Sequence, residues 1–245
     1  MRKIQVITQK ELVDSSLIKH CTAVVIDVFL ATSTITCLVE NGFKPVYAVK
    51  DAQTALDVVK EEPYYFLLMG ELNGEGIENF QYPDPTLIAK PSNEQAAIIC
   101  STNGTIAVEN AKNAVSLYVS SLLNGHRVAE EIHLQEDDSS IVIVCSGNAG
   151  RFSMEDFVGA GHIIEHLMAK GNYQLSDAAK LARDSYLNSK SIEFQNLLEG
   201  ETANLLVQTG YGHTSQWVID HFETMDAVPI YQNGSFVCKL VRESK

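Results

Sequence analysis

The stretch VVIDVFLATST, which runs from Val24 to Thr34, decides the predicted fold. It opens with a short, continuously apolar run, the kind that forms a strand covered on both faces of a sheet. The run ends on one carboxylate, Asp27, and small hydroxyl residues follow it. Because Asp and Ser commonly cap helices and fill turns, Asp27 taken alone is most simply a cap or turn residue. Its place at the end of a buried strand also suits a ligand site.

Similar apolar runs recur along the chain, and helix-like stretches separate them. The stretch 51–62 begins at a typical N-cap residue, Asp51, and repeats apolar residues at helical spacing. Strands that alternate with helices predict a three-layer α/β/α fold with a largely parallel or mixed sheet. The further apolar runs are 45–49, 65–70, 96–100, 116–121 and 140–147, and the further helical stretches are 105–114 and 154–170.

The C-terminal third of the chain has a different pattern. From about Tyr173 onward it reads as helical, and two short apolar runs, 228–232 and 235–240, then flank Asn233-Gly234. An Asn-Gly pair between two such runs predicts a hairpin, which we expect at an edge of the sheet. We expect a single domain over residues 1–245, with two subdomains divided near 135–139 as the open alternative.

The composition excludes some classes of partner. The 245 residues carry a formal net charge of −13, whereas nucleic acids and anionic membranes require basic surfaces. The sequence contains no apolar run long enough for a membrane span, and its N-terminus lacks the apolar core of a signal peptide. We therefore expect a cytoplasmic protein that binds neither nucleic acid nor membrane, and a homo-oligomer is left open.

Polar residues follow several of the predicted strands. In open parallel sheets, ligands bind outside the carboxyl ends of the strands, so these residues are candidates for a site. Four of them are acids that we expect to converge: Asp27, Glu71, Glu155 and Asp156. Converging carboxylates repel one another and must be neutralised, and Mg²⁺ does so with oxygen ligands. The sequence therefore predicts a magnesium site.

Two glycine-containing turns are candidates for holding a phosphate group. The turn STNGT, residues 101–105, opens a predicted helix, and the loop GNAG, residues 147–150, follows another strand. Exposed N–H groups at a helix N-terminus, together with Ser and Thr hydroxyls, suit a phosphate oxygen. A cation beside a phosphate cradle is the arrangement that phosphoryl transfer requires.

At these residues the sequence resembles the 2-phosphosulfolactate phosphatase family. The matching segments are 24–43, 69–80, 101–108, 120–125 and 144–161, in the family's order. The resemblance implies an α/β, magnesium-dependent hydrolase that removes phosphate from 2-phospho-3-sulfolactate, a small anionic substrate, to give 3-sulfolactate. From it we predict catalytic roles for Asp27 and Glu71. We also predict metal ligation by Asp27, Glu71, Glu155 and Asp156, and substrate contacts from Thr32, Ser33, Asn103, Gly104, Thr105, Asn124 and Arg151.

The chain departs from the family pattern at several positions. Leu30, Leu72 and Ile106 stand where the family usually has arginine, and Pro83-Asp84-Pro85 replaces its N-S-P. Arginine side chains bind phosphate, carboxylate and sulfonate groups well, because they form bidentate hydrogen bonds with them. Asp84 adds a negative charge that would repel such groups. Either the substrate is less anionic, or catalysis is lost and the protein serves as a binding or assembly protein.

The segment HIIEH, residues 162–166, offers a remote alternative. It fits the H-x-x-E-H pattern of zinc proteases, in which two histidines on one helix face bind zinc. This would make the protein a zinc hydrolase. The simpler reading is a helix with two partly exposed histidines and a solvated Glu165, because so short a pattern arises often.

Overall fold

The computed structural model describes residues 1–91, 93 and 95–239. Strands and helices alternate through most of this range, as the sequence predicts. The strands are β1 (Lys3–Ile7), β2 (Cys21–Ile26), β3 (Val46–Val49), β4 (Phe66–Leu72), β5 (Glu75–Gly76), β6 (Ala96–Cys100), β7 (Ser116–Ser120), β8 (Ser140–Cys145), β9 (Gln174–Leu175), β10 (Pro229–Gln232) and β11 (Ser235–Cys238). The helices are α1 (Ser15–Ile18), α2 (Ala31–Glu40), α3 (Ala52–Glu61), α4 (Gly104–Ala111), α5 (Gly125–His133), α6 (Met154–Lys170), α7 (Asp177–Ser191), α8 (Glu201–Gln208) and α9 (Gly212–Asp220).

Strand β2 is the buried strand predicted around Val24. It pairs in parallel with β7 on one side and with β8 on the other, and every residue from Thr22 to Ile26 is buried. Burial on both faces explains why the run is continuously apolar. The strand ends one residue before Asp27, and α2 begins at Ala31, so the acid lies in the strand-to-helix turn.

Within the described residues the strands form one sheet, in the order β5-β4-β6-β3-β11-β10-β7-β2-β8-β1-β9. Two parallel blocks make up most of it: β4, β6 and β3 form one, and β7, β2, β8, β1 and β9 form the other. The predicted hairpin across Asn233-Gly234 forms as β10 and β11. Its predicted place at an edge is wrong, because β10 pairs with β7 and β11 pairs with β3 in the middle of the sheet. Leu240, which ends the predicted second run, lies outside the described residues.

This central hairpin reverses the direction of the sheet. Each of the pairings β7 with β10, β10 with β11 and β11 with β3 is antiparallel, so the two parallel blocks run in opposite senses. In a flat sheet, the carboxyl ends of β2 and β6 would therefore lie at opposite edges. They meet instead, since Gly104 after β6 lies against Asp27 after β2. This contact requires the sheet to twist and curl.

Helices cover both faces of the sheet and enclose two hydrophobic clusters. Val24 and Ile26 of β2 pack in one cluster with residues of α5, α6 and α7. Ala23 and Val25 point to the opposite face and pack with residues of α2 and α4. The predicted three-layer α/β/α fold with a mixed sheet is confirmed.

The segment between the two candidate subdomains is a partly exposed loop that leads into an inner strand of the sheet. Residues 135–139 lead from α5 into β8, and β8 lies between β1 and β2. The single domain over 1–245 stays a prediction, as does the cytoplasmic location. In the part of the chain that the structure describes, none of the helices is long and apolar enough to cross a membrane.

Candidate active site

A cavity of about 220 Å³ opens at the carboxyl ends of β2, β4, β6 and β8. It lies where the sequence predicts a ligand site. Four of the predicted site residues line it: Asp27, Glu71, Asn103 and Arg151. Further parts of its wall come from the neighbouring turns and from α8, and they include Leu30, Tyr82, Ser101, Thr102, Asn148 and Leu205.

Asp27 is the buried acid of the cavity wall, with 7% of the residue exposed. Burial, and then repulsion from Glu71 and Glu155, raises the pKa of Asp27 to about 7. A hydrogen bond from the Ala31 N–H and the charge of Lys10 act in the opposite direction. A carboxyl group whose pKa lies near neutrality can exchange a proton at physiological pH, or lose it when a cation binds.

Gly104 allows the first turn of α4 to approach Asp27. A Cβ atom at this position would lie 2.5 Å from the Ala31 Cβ and 2.6 Å from the Asp27 Oδ2, so a side chain would force a shift. The preceding turn is stabilised by Ser101, whose Oγ accepts from the Thr105 N–H at 3.2 Å. The carboxyl group therefore lies beside a helix N-terminus, a place that also suits a phosphate group.

Glu71 holds the turns after β4 and β6 together. Its Oε1 accepts from the Thr102 N–H at 2.6 Å. Its Oε2 accepts from the Gly74 N–H at 2.8 Å and from the Thr102 hydroxyl at 3.0 Å. A carboxylate can accept about four hydrogen bonds, so Glu71 keeps roughly one position for a ligand.

Asn103 joins three turns of the site. Its Oδ1 accepts from the Lys10 Nζ at 2.9 Å and from the Ala149 N–H at 3.1 Å. Lys10 is only 5% exposed, and its Nζ also lies 3.4 Å from the Ser146 carbonyl. Sequence reasoning missed this buried cation because it missed β1. Had β1 been recognised, the expectation that ligands bind at the carboxyl ends of strands would have pointed to Lys10, which follows this strand closely.

The other predicted site residues are buried but are not part of the cavity lining. Several of their polar groups bond within the surrounding turns. The Thr32 hydroxyl lies 2.7 Å from the Ser120 carbonyl, and the Asn124 amide donates to the Ala227 carbonyl at 3.0 Å. Their contacts with substrate or metal stay predictions. They are Thr32, Ser33, Gly104, Thr105, Asn124, Glu155 and Asp156.

Asp156 ties the turn after β2 to the turn after β8. Its Oδ1 accepts from the Val28 N–H at 2.9 Å, and its Oδ2 accepts from the Gly147 N–H at 3.1 Å. Burial, followed by repulsion from Asp27 and Glu155, holds the pKa of Asp156 well above its usual range. The side chain therefore fixes the turn that carries Asp27, apart from any metal ligation that the resemblance implies.

The three residues that replace the expected arginines lie in two different cavities. Leu30 lines the cavity that contains Asp27. Leu72 and Ile106 line a neighbouring cavity, which shares Glu71 with the first. An arginine at position 30 would therefore face a different space from arginines at the other two positions.

The charge around the cavity is mostly negative. Among the described residues that line it, Arg151 is the one cation, and its guanidinium pairs with Glu201 at 3.3 Å. Asp84, which the sequence suggests as a repelling charge, is not part of the described lining. It pairs with the His213 Nε2 at 3.0 Å instead.

The far wall of the cavity comes from α8 and from the segment that contains Tyr82. Thr202, Leu205 and Leu206 of α8 line the cavity, and Tyr82 stacks on Tyr211 with ring centroids 3.5 Å apart. Sequence reasoning did not assign these residues to the site. No local signal could have done so, because α8 follows β4 by more than a hundred residues and contacts the cavity only through the tertiary fold.

The glutamate of the zinc-protease pattern, Glu165, is already engaged by another side chain. Glu165 accepts a hydrogen bond from the Arg183 Nε at 2.5 Å. His162 and His166 face a different acid, Glu223, which lies outside the pattern. This group is separate from the cavity that contains Asp27.

Comparisons with known proteins agree with the resemblance. The pattern of the family described as 2-phosphosulpholactate phosphatase matches residues 7–234. A Clostridium perfringens protein named "Probable 2-phosphosulfolactate phosphatase" is 35% identical over 213 residues, which cover 85% of this chain and 85% of that protein. A Clostridium tetani protein of the same name is 30% identical over 233 residues, which cover 94% and 98%. The chain therefore belongs to the 2-phosphosulfolactate phosphatase family.

Proposed function

We propose that this protein is a magnesium-dependent phosphatase that hydrolyses the phosphate monoester of a small hydroxy acid, either 2-phosphosulfolactate or a less anionic relative. One observation carries the proposal: a buried carboxyl group, Asp27, lies against the first turn of α4 in a cavity at the strand ends. The names of the relatives supply the substrate class. The products are inorganic phosphate and the free hydroxy acid, which for 2-phosphosulfolactate is 3-sulfolactate.

The donor set of the cavity fits Mg²⁺. Asp27 and Glu71 offer carboxylate oxygens. Burial, and then repulsion from Glu71 and Glu155, raises the pKa of Asp27, so a cation would stabilise its charged form. Among the described residues, only a histidine-containing group has three ligand atoms within 4.8 Å of one another, so the acids of the cavity form no tight cage. Mg²⁺ suits such a site, because it usually binds one or two carboxylates and keeps several waters. When bound, it would offset the charge on the phosphoryl oxygens. Glu155 and Asp156 stay predicted ligands.

The turn 101–103 is the proposed phosphate-binding segment. The Asn103 Oδ1 accepts hydrogen bonds from the Lys10 Nζ and the Ala149 N–H. Its Nδ2 donates no hydrogen bond to the described residues. Its Nδ2 is therefore free to donate to the substrate. Asp27 accepts a proton from the attacking water as the new P–O bond forms and the ester P–O bond breaks. The leaving oxygen of the hydroxy acid then takes up that proton.

The lining of the cavity favours a substrate with fewer anionic groups than 2-phosphosulfolactate. Leu30 is apolar, and Arg151 already pairs with Glu201. A phosphate together with a carboxylate and a sulfonate would need more cationic partners than this wall offers. The same observation favours a second candidate function, in which the protein binds a small ligand without hydrolysing it.

The test is the release of inorganic phosphate from a panel of small 2-phosphorylated hydroxy acids, with and without Mg²⁺. The panel contains 2-phosphosulfolactate and 2-phospholactate, which lacks the sulfonate. We expect Mg²⁺-dependent release that Asp27→Asn abolishes. Asp57→Asn is the matched control, because Asp57 is exposed and its partners in the described part of the chain, Gln53 and Lys60, lie on its own helix.

Two results would contradict the proposal. Release that Asp27→Asn leaves unchanged would remove the proposed site. No release from any member of the panel, combined with ligand-dependent thermal protection of the wild-type protein, would favour the non-catalytic binding protein.

A further inference from the structure

Two histidines of α6 share one carboxylate oxygen outside the lining of the active-site cavity. The Nε2 atoms of His162 and His166 lie 2.8 Å and 2.6 Å from the Glu223 Oε1. The two histidines are four residues apart and therefore share one face of the helix. In the described part of the chain, these three residues are the one group of three His, Cys, Asp or Glu side chains whose potential metal-binding atoms all lie within 4.8 Å of one another.

The His162 ring is held in place on several sides. The side chain has no exposed surface, and its ring stacks on Tyr186 with centroids 5.3 Å apart. The ring of Phe222 lies 5.0 Å away on another side. Gly125 makes room for it, because a Cβ atom there would lie 2.4 Å from the His162 Nδ1. A ring that cannot rotate is a pre-organised ligand.

The third member, Glu223, is also fixed by the backbone. Its N–H donates to the Leu122 carbonyl at 3.0 Å, and the Met225 N–H donates to the Leu123 carbonyl at 3.1 Å. Glu223 itself has a φ of 56°, in the left-handed region that residues other than glycine rarely adopt. The loop therefore keeps this carboxylate in front of both histidines.

The distances between Glu223 and the two histidines need little change to accept a metal ion. Two neutral imidazoles and one carboxylate match the donor sets that bind Zn²⁺ with a fourth position open. Tetrahedral bonds of about 2.0–2.2 Å place ligand atoms roughly 3.3 Å apart, so Glu223 would move outward by less than about 1 Å. His166 and Glu223 are 27% and 28% exposed, which gives an ion access and leaves space for a water.

Metal binding would also change which ring nitrogen of each histidine carries a hydrogen. Each Nε2 must lose the hydrogen that it now donates to Glu223, and in a neutral imidazole that hydrogen moves to Nδ1. The His162 Nδ1 is buried without a partner in the described structure. The change of tautomer therefore replaces the hydrogen bond from Nε2 to Glu223 by a metal–nitrogen bond and leaves a buried N–H at Nδ1 without a partner, a cost that the metal–ligand bonds must offset.

We propose that His162, His166 and Glu223 form a binding site for a late first-row divalent metal ion, with Zn²⁺ as its best fit, and that the bound ion clamps α6 to the loop around Glu223. Imidazole ligands favour Zn²⁺ over Mg²⁺, which separates this site from the carboxylate site at Asp27. The role is structural, because Glu165 pairs with Arg183 and supplies no base beside the ion. The inference does not depend on the proposed phosphatase activity.

The test is the titration of ZnCl₂ into the chelator-treated, untagged full chain by isothermal titration calorimetry. We expect one Zn²⁺ per chain and a zinc-dependent rise in Tm. His166→Gln and Glu223→Gln should each raise the Kd by at least about tenfold, the loss that even an outer-shell partner can cause. Both residues are partly exposed, so the variants should fold, which circular dichroism would verify.

Two controls separate the cluster from other zinc ligands. His20→Gln removes an exposed histidine outside the cluster and should leave the Kd unchanged. Cys238→Ser removes an exposed thiol and should also leave it unchanged. Mg²⁺-dependent phosphate release should be the same in His166→Gln and in the wild type. Absence of saturable zinc binding in the wild type, or equal Kd values in the wild type and both cluster variants, would overturn the inference.

Discussion

At the scale of single residues, Asp27 is the point at which stability and function conflict. Its carboxyl group is buried near other acids, and its pKa in the folded state is raised to about 7. The ordinary pKa of an unfolded Asp is about 3.9. Between these two pH values the folded protein keeps a proton on Asp27 that the unfolded chain has released. The free energy of unfolding therefore falls as the pH rises from about 3.9 through about 7.

Replacing the carboxyl group by a neutral amide should relieve this cost. We expect Asp27→Asn to raise the Tm at pH 8 and to change it little at pH 4, where both folded proteins are neutral at this position. The linkage limits the gain to about 4 kcal/mol. Differential scanning calorimetry at the two pH values measures it. A Tm at pH 8 equal to or lower than that of the wild type would show that burial and repulsion do not penalise the charged carboxyl group, and Asp57→Asn provides the baseline.

Leu30 determines how the cavity receives anionic groups. Of the three positions at which the family resemblance expects arginine, only this one lines the cavity of Asp27. We expect Leu30→Arg to raise kcat/KM on 2-phosphosulfolactate by about tenfold, because one charge-assisted hydrogen bond contributes roughly 1.5–3 kcal/mol. Leu72→Arg is the control, and steady-state kinetics compares the two variants. A larger gain from Leu72→Arg than from Leu30→Arg would place the anionic groups in the neighbouring cavity.

At the scale of elements, the site depends on the contact between α4 and the turn before α2. Gly104→Ala should disturb it, since the new Cβ would lie far inside van der Waals contact with Ala31 and Asp27. We expect a loss of about 1–3 kcal/mol in the free energy of unfolding and a matching loss of phosphate release. Gly76→Ala is the control, because its Cβ would meet only Tyr82 at 3.7 Å. Urea titration measures both, and equal stabilities would mean that the contact is loose.

The central hairpin joins the two parallel blocks, so its buried face should carry much of the stability. Phe236 of β11 has no exposed surface and pairs with Val46 of β3. We expect Phe236→Ala to lower the free energy of unfolding by about 3–5 kcal/mol. Tyr65→Ala removes an aromatic side chain that is 86% exposed and should change it by less than about 0.5 kcal/mol. A small loss for Phe236→Ala would indicate that the hairpin is peripheral.

The elements also show how far local sequence patterns reach. Continuous apolar runs identified the central strands correctly, because burial on both faces leaves that pattern. Strand β1, KIQVI, alternates polar and apolar residues and is buried on one face, so a search for continuous runs missed it and Lys10 with it. The Asn-Gly turn identified the hairpin, but its place in the sheet depends on partners far along the chain. The wall contributed by α8 depends on such distant contacts as well.

At the scale of the whole molecule, the curled sheet brings strand ends from two opposed blocks to one cavity. The expectation that ligands bind at the carboxyl ends of strands pointed to Asp27, Glu71 and Asn103, and all three line the cavity. It could not separate residues that line the cavity from those that brace it, such as Thr32, because that depends on side-chain direction. The chain carries a net charge of −13, so an anionic substrate needs local positive charge to bind. We propose that Mg²⁺ at the acids of the cavity supplies that charge.

The most direct test of this central claim is a crystal structure of the full chain with Mg²⁺ and inorganic phosphate, refined beside the same crystals without them. We expect electron density for a cation at Asp27 and Glu71, and for a phosphate against residues 101–103. Crystals of Asp27→Asn under the same conditions should lack the cation. A cavity without either ligand in the wild-type crystals, or a phosphate bound only elsewhere on the molecule, would contradict a magnesium and phosphate site at Asp27.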